Sequence, residues 1–221
     1  MARLAVGVLI SGRGSNLQAL LDACARPGFP AKIALVISNR PDASGLERAQ
    51  SAGVPTRVID HRDFADRPAF ETALTAALAD AGAEAVCLAG FMRVLTGGFV
   101  GAWRGRLLSI HPSLLPLFPG LHTHARALAA GVKLHGCTVH LVSEALDDGA
   151  IVGQAAVPVL PDDTAETLAA RVLAAEHQLY PHCLRLLAEG RIEVSGNLTR
   201  LTGAHRADDT RRLINPAPND R

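Results

Sequence analysis

The sequence of 221 residues is poor in aromatic side chains, which make up 4% of it, and has no excess of either charge. Its 22 lysines and arginines face 21 aspartates and glutamates, for a formal charge of +1. This balance argues against a nucleic-acid partner, because such partners are bound by clustered positive charge. Hydrophobic residues make up 48%, so the core is built mainly of aliphatic side chains, as is typical of parallel strands covered by helices.

Cysteine pairs and long apolar runs are also missing. Cys24, Cys87, Cys137 and Cys183 are widely spaced, which predicts neither a disulfide framework nor a zinc knuckle. No uncharged apolar stretch reaches the length of a membrane span. The apolar run that ends at Ile10 is not followed by a small-x-small cleavage site. We therefore expect a cytoplasmic protein without a membrane partner.

Apolar runs that alternate with helical patterns organise the chain. Strands are predicted over residues 4–10, 33–37, 56–59, 85–89, 106–110, 136–142 and 151–159. Helices are predicted over residues 17–25, 44–52, 68–81, 123–130 and 164–187, the last kinked or divided at Pro181. The alternation predicts an α/β fold with a doubly wound, mostly parallel sheet and helices on both faces. A single domain over residues 1–195 would be followed by a partly disordered tail over 196–221.

Glycines fill the turn between the first strand and the first helix. Gly12, Gly14, Ser15 and Asn16 stand where the N–H groups of a helix N-terminus can bind an anion. The turn is not a Walker A motif, since no Gly-Lys-Ser/Thr follows, and Leu17 stands where a dinucleotide fingerprint has its third glycine. The pattern favours a monophosphate site over a dinucleotide site. A tight turn that binds nothing is the alternative.

A histidine follows the fifth predicted strand. His111 stands at the carboxyl end of the sheet, where open α/β sheets bind ligands, and imidazole exchanges protons near neutral pH. A carboxylate from Asp147 or Asp148 would orient this ring if it lay nearby. The same Asp-Asp-Gly sequence is also ordinary solvated turn chemistry, and a lone histidine is more often structural than catalytic. Spacing leaves both interpretations open.

Several other side chains raise a metal alternative. His122, His124, His135, Cys137 and His140 all offer ligand atoms. In an alternating strand, however, His135 and His140 point to opposite faces, which weakens a shared site. We therefore expect no bound metal.

Six segments, taken together, resemble the folate-dependent formyltransferase family, in the branch that acts on glycinamide ribonucleotide in purine biosynthesis. They are ISGRGSNLQA at 10–19, LAGFMRVL at 88–95, IHPSLLP at 110–116, PGLHTH at 119–124, HGCTVH at 135–140 and EHQLYP at 176–181. The segments keep their order up to about residue 195. The combination is far more specific than any one of them.

The resemblance implies a Rossmann-like fold with a phosphate-binding N-terminal half and a folate-binding, catalytic C-terminal half. The implied reaction moves the formyl group of 10-formyltetrahydrofolate to the amine of 5'-phosphoribosylglycinamide, without a metal. The ribonucleotide would be bound by Gly14, Ser15, Asn16, Leu173, Ala174, Ala175 and Glu176. The folate would be bound by Arg67, Met92, Arg93, Val94, Leu95, Ser109, Ser143, Glu144, Ala145, Leu146 and Asp147. These small molecules are the expected partners, and the chain would be a monomer or a homodimer.

The resemblance also implies the catalytic roles. His111 would transfer protons, and Asp147, which follows Leu146 as the family's aspartate follows its leucine, would stabilise the protonated histidine. Ser109 departs from the pattern, because the family has Asn-Ile-His-Pro where this chain has Ser-Ile-His-Pro. The asparagine donates a hydrogen bond to the formyl oxygen as it becomes an oxyanion. Serine also has a donor but a shorter reach, so it would need a water or a shifted substrate. Losing such a donor typically costs about 10²–10³ in rate.

Three alternatives share part of this pattern. A formyltetrahydrofolate deformylase would carry an extra N-terminal regulatory domain, and a methionyl-tRNA formyltransferase would carry a basic C-terminal RNA-binding domain. We expect neither addition here, and the Gly-Ser-Asn turn favours transfer over hydrolysis. A folate- or nucleotide-binding protein weakened by Ser109 is the non-enzymatic alternative.

Overall fold

A computed structural model of the chain describes residues 2–203 and 213–215. The strands are β1 (Leu4–Ile10), β2 (Ala31–Ser38), β3 (Thr56–Val58), β4 (Ala85–Leu88), β5 (Leu107–His111), β6 (Leu134–Leu141), β7 (Ile151–Pro158), β8 (Ile192–Ser195) and β9 (Leu198–Leu201). The helices are α1 (Ser15–Ala25), α2 (Gly45–Ser51), α3 (Arg67–Asp80), α4 (Gly97–Ala102), α5 (Thr123–Ala129) and α6 (Ala165–Ala188), with a 3₁₀ turn at His61–Asp63. Each predicted element is found within two residues of its expected bounds.

The main sheet carries its strands in the order β3-β2-β1-β4-β5-β6-β7 within the described residues. Strands β1 to β5 are parallel neighbours, whereas β6 and β7 join in antiparallel pairs. The predicted doubly wound, mostly parallel sheet is confirmed. The winding reverses between β1 and β4, and sheets of this kind open their ligand crevice at the carboxyl ends of the strands at such a point.

Apolar side chains on both faces of the sheet are covered by helices. On one face, Val8 and Ile10 of β1 share a core with Leu17 and Leu20 of α1 and Leu184 of α6. The other face packs against α3 and α4. Fully burying one leucine or valine side chain stabilises a fold by about 2 kcal/mol. The rigid sheet therefore provides a firm base for the loops at its carboxyl edge.

Helix α6 continues through Pro181 without a break, so the predicted division of this helix is wrong. Proline removes one backbone donor and disfavours a helix interior. Tertiary contacts outweigh this cost: the neighbouring Tyr180 is fully buried. Its hydroxyl donates to the carbonyls of Leu88 at 3.0 Å and Leu108 at 3.1 Å. These bonds tie α6 to β4 and β5.

Helix α4 lies where the sequence predicted no element. It begins with two glycines, which hide it from a propensity analysis. Thr96 caps it, since its side chain accepts a hydrogen bond from the N–H of Phe99. The carboxylate of Glu71 on α3 in turn accepts from the N–H of Thr96 at 2.8 Å. The helix is thus held by contacts from outside its own sequence.

A small antiparallel hairpin, β8–β9, follows α6, and Ser195 pairs with Leu198 inside it. The domain boundary predicted after residue 195 falls within this hairpin, and the extent of the domain stays a prediction. Much of the predicted tail, residues 204–212 and 216–221, lies outside the described residues. Within the described part of the chain, none of the helices combines the length and the hydropathy needed to span a bilayer.

Candidate active site

The turn between β1 and α1 presents the N-terminus of α1 at the sheet's carboxyl edge. Gly14 has φ of 69° and directly precedes the helix. A Cβ at this position would lie 2.7 Å from the Cα of Gly45 on α2, so a side chain is excluded by both conformation and contact. The N–H of Gly45 donates to the carbonyl of Gly12 at 3.0 Å, which fixes the turn against α2. The free N–H groups at the start of α1 form a ready site for an anion.

Two predicted ribonucleotide residues meet across α1 and α6. The Nδ2 of Asn16 donates to Oε2 of Glu176 at 2.7 Å. Burial raises the pKa of Glu176, and the bond from Asn16 opposes that rise. The Oδ1 of Asn16 is buried and has no hydrogen-bond partner among the described residues. Such an atom is costly unless a ligand satisfies it.

The segment Leu173, Ala174 and Ala175 occupies the turn of α6 before Glu176. Ala174 and Ala175 line a groove of about 470 Å³ between α6 and β7. Their side chains are methyl groups and offer no polar contact. The contact with the glycine turn is made by Glu176.

His111 is the last residue of β5 rather than the first residue after it, and its ring is almost fully buried. Its Nε2–H donates to the carbonyl of Phe118 at 3.0 Å. Its Nδ1 lies 3.5 Å from Oδ2 of Asp147. Both ring nitrogens therefore face oxygen acceptors, and an imidazolium ring has a donor for each of them.

The structure distinguishes Asp147 from Asp148. Asp147 has φ of 53°, which turns its side chain toward His111, and its Oδ2 also accepts from the N–H of Gly120 at 2.8 Å. Asp148 is exposed. The carboxylate that approaches the histidine is thus the one expected from the resemblance. The backbone partners at Phe118 and Gly120 were not predicted, because main-chain groups leave no mark in the sequence.

Ser109 lies two residues before His111 on β5, so the two side chains share one face of the sheet. It pairs with Leu88 on β4 and with His140 on β6. Ser109 is half-buried, and its hydroxyl has no hydrogen bond to any described residue.

The loop after β4 carries one group of predicted folate residues. Met92 and Val94 are 65% and 55% exposed, whereas Leu95 is buried in the core. The N–H of Met92 donates to Oγ of Ser11 at 2.8 Å, and this hydroxyl donates to Oδ1 of Asn39 at 2.6 Å. The loop is therefore anchored to the ends of β1 and β2, and it exposes apolar surface at the crevice.

The loop after β6 carries the second group. Leu146 is 64% exposed, and the hydroxyl of Ser143 donates to the carbonyl of Ala145 at 3.1 Å. The carboxylate of Glu144 lies against Gly97 at the start of α4, where a Cβ would meet it at 3.0 Å. The loop thus packs beside the segment that follows Met92. Arg93 is half-buried in that segment, and Arg67 is exposed at the start of α3.

Two further histidines lie near the loop that follows His111. The rings of His124 and His135 meet edge to face with centroids 5.3 Å apart, and Phe118 packs on His135 at 5.9 Å. Burial lowers the pKa of His135 to about 4, with a smaller contribution from His124. Among the described residues, no group of three or more His, Cys, Asp or Glu side chains is arranged to hold a metal ion.

The fold and the site together define a class of protein: the chain belongs to the formyl transferase family, whose profile matches residues 4–184. The resemblance identified from the sequence segments is confirmed. A phosphoribosylglycinamide formyltransferase of Escherichia coli strain K12 is 45% identical over 196 residues, which cover 89% of this chain and 92% of the relative. The crystal structure of glycinamide ribonucleotide transformylase 1 from Symbiobacterium toebii matches with a TM-score of 0.89 and 50% identity, over 91% of this chain and 95% of that one.

The chain also resembles a part of a larger protein. It is 53% identical over 195 residues to the trifunctional purine biosynthetic protein adenosine-3 of Drosophila melanogaster. The match covers 87% of this chain but only 14% of that relative. The other activities of the larger protein are therefore not carried over to this chain.

Proposed function

We propose that this chain transfers the formyl group of 10-formyltetrahydrofolate to the amine of 5'-phosphoribosylglycinamide in purine biosynthesis. The observation that carries the proposal is the His111–Asp147 pair, 3.5 Å apart, at the same sheet edge as the glycine turn. An acid–base group beside an anion site matches what an amine on a phosphorylated sugar requires.

The ribonucleotide would bind along α1 and α6. Its phosphate would accept from the N–H groups of Gly14, Ser15 and Asn16 at the start of α1, where the helix dipole favours negative charge. Glu176 uses one oxygen to hold Asn16, which leaves the other for a donor of the nucleotide. The unpaired Oδ1 of Asn16 offers a second acceptor.

The folate would lie over the loops after β4 and β6. Exposed Met92, Val94 and Leu146 supply apolar surface for a flat ring system. Arg67 and Arg93 offer positive charge for the carboxylates at the far end of the folate. This arrangement would bring the formyl carbon toward His111.

The chemistry would then proceed by direct attack of the amine nitrogen on the formyl carbon. The formyl oxygen would replace the Phe118 carbonyl as the acceptor of the Nε2 proton of His111, so that the imidazolium stabilises the developing oxyanion. The amine proton would pass to the departing folate nitrogen through His111 or a water held by Asp147, and the bond between carbon and folate nitrogen would break. Ser109 would assist at the oxyanion.

A coupled assay with both substrates tests this proposal by following tetrahydrofolate release. We expect turnover that requires the ribonucleotide. We expect His111→Asn to lower kcat by about 10²–10⁴, because general acid–base catalysis contributes that much. His122→Asn, at an exposed histidine, is the matched control and should keep activity. Circular dichroism should show that both variants are folded.

Three results would contradict the proposal. Consumption of formyltetrahydrofolate without ribonucleotide would indicate a deformylase-like hydrolase. Binding of both ligands without reaction would indicate a binding protein weakened at Ser109. Near-normal turnover in His111→Asn would remove the histidine from the mechanism.

A cytoplasmic location is proposed as well, supported by the four cysteines, which are all buried and free. The choice between monomer and homodimer stays a prediction.

A further inference from the structure

His140 lies directly opposite Ser109 on the neighbouring strand β6. The antiparallel register pairs Ser109 with His140 and His111 with Thr138. Opposed residues of an antiparallel pair project to the same face, with their Cβ atoms about 4.5–5.5 Å apart. The side chains of Ser109, His111 and His140 therefore share one side of the sheet, at the edge where the reaction is proposed.

One ring nitrogen of His140 has no partner in the part of the chain that the structure describes. Its Nδ1 lies 3.4 Å from the carbonyl of Leu141. A carbonyl only accepts, so the proton sits on Nδ1 and Nε2 carries a lone pair. That Nε2 is buried and has no hydrogen-bond partner among the described residues, and His140 as a whole residue is 2% exposed. An unpaired buried acceptor costs about 1–3 kcal/mol, which makes it a marker for a bound group.

His140 is a neutral acceptor at neutral pH. Burial lowers its pKa, with His111 acting in the same direction and the Leu141 carbonyl and Asp147 in the opposite one. Its neighbour Ser109 has a hydroxyl with no bond to a described residue. A donor and an acceptor therefore lie at opposed positions of β5 and β6, and neither has a hydrogen-bond partner among the described residues.

We propose that His140 is a positioning residue, whose Nε2 and the Ser109 hydroxyl together hold one water molecule that donates to the formyl oxygen. This inference rests on the proposed formyl transfer. Each hydrogen bond has one donor and one acceptor: the Ser109 hydroxyl donates to the water, and the water donates one hydrogen bond to Nε2 and the other to the oxyanion. A serine oxygen is one bond closer to the backbone than an asparagine amide nitrogen, and the water makes up the missing reach. The pair thereby supplies the donor that the family's asparagine provides alone.

A double-mutant cycle tests the proposal. The four proteins are the wild type, Ser109→Asn, His140→Leu and the double variant, each measured for kcat, for KM of both substrates and for thermal unfolding. We expect His140→Leu to lower kcat by about 10–100-fold, somewhat less than loss of a direct oxyanion donor, while KM changes little. In the Ser109→Asn background the loss should shrink to less than about 3-fold, because the amide no longer needs the water.

A conservative variant separates positioning from packing. His140→Gln places an amide oxygen near the position of Nε2 and should retain more activity than His140→Leu. If His140→Leu does not fold, the same cycle is run with His140→Phe, which keeps an aromatic ring but has no acceptor.

Two outcomes would overturn the inference. Equal losses of kcat in the wild-type and Ser109→Asn backgrounds would show that His140 acts only through packing. Absence of ribonucleotide-dependent transfer in the wild type would remove the proposed function, and this inference with it. Ribonucleotide-dependent transfer without coupling between positions 109 and 140 would overturn this inference and leave the proposed function standing.

Discussion

At the scale of single residues, the site depends on which carboxylate reaches His111. Asp147 and Asp148 are adjacent in sequence and chemically identical, yet Asp147 alone combines a left-handed backbone with contacts to His111 and Gly120. The turn sequence Asp-Asp-Gly is compatible with either aspartate. The backbone geometry of the turn places Asp147, and not Asp148, beside His111.

Replacing Asp147 by asparagine should test the role of its charge. Asparagine keeps an oxygen for the N–H of Gly120 but cannot stabilise a positive imidazolium. We expect Asp147→Asn to lower kcat by about 100-fold, within the range of acid–base effects, with unchanged unfolding temperature. The measurement is steady-state turnover with both substrates saturating.

Asp148→Asn is the matched control, because Asp148 is exposed and its replacement removes the same charge one residue along the chain from Asp147. It should keep most of the activity. Similar losses in both variants would mean that the net charge of the loop matters, rather than the contact with His111.

At the scale of elements, the start of α1 is shaped by close approach between the glycine turn and α2. The sequence predicted the turn and the helix from local patterns, and both are present. The contact of Gly14 with Gly45 could not be predicted, because it joins the glycine turn to the start of α2, which follows only after a helix and a strand. Likewise, α4 depends on Glu71, which lies on α3 and accepts from the N–H of Thr96. The unbroken α6 depends on Tyr180, whose hydroxyl donates to carbonyls of β4 and β5.

An alanine at position 14 should damage both stability and nucleotide binding. Gly14→Ala forces a Cβ into the left-handed region and to 2.7 Å from the Gly45 backbone. We expect a loss of at least about 2 kcal/mol in the free energy of unfolding and a KM for the ribonucleotide raised by about tenfold. Urea unfolding and substrate titration provide the two measurements.

Gly12→Ala offers the comparison within the same turn, because a Cβ there meets nothing within 4 Å. Its unfolding free energy should stay within about 0.5 kcal/mol of the wild type. A stable Gly14→Ala protein would show that the turn tolerates a side chain and that its shape is set elsewhere.

At the scale of the whole molecule, buried neutral histidines make stability depend on pH. The pKa of His135 falls from its ordinary value of 6.5 to about 4 on burial, and burial also lowers those of His124 and His140. Between pH 6.5 and 4 the unfolded chain therefore binds more protons than the folded one. Stability is complete above this window and is lost as the pH falls through it.

We expect the wild type to lose about 2 kcal/mol more than His135→Asn in unfolding free energy between pH 7 and pH 4.5. Each unit of pKa depression corresponds to about 1.4 kcal/mol. Glu176, whose pKa is raised, acts in the opposite sense, so the comparison between variants isolates His135. Urea unfolding at the two pH values gives the difference, and His122→Asn controls for the loss of a histidine. Parallel pH dependences in wild type and His135→Asn would contradict the assignment.

The sequence alone determined the architecture and the family. Apolar runs and helical spacing report whether each segment is buried on one face or two. This local property predicted the α/β sheet, the glycine turn and, within two residues, the bounds of every helix except α4. The segments around residues 10–19 and 110–116 carried the resemblance that the family profile confirms. These features are readable because each is encoded by neighbours in the chain.

Only the tertiary structure decided how the site is assembled. The approach of Asp147 to His111, the Phe118 carbonyl on its ring and the position of His140 opposite Ser109 all join distant segments. Such contacts depend on strand register and on the path of loops with positive φ. Periodicity carries no record of either, since a shift of register by one residue would turn every side chain of the strand to the other face.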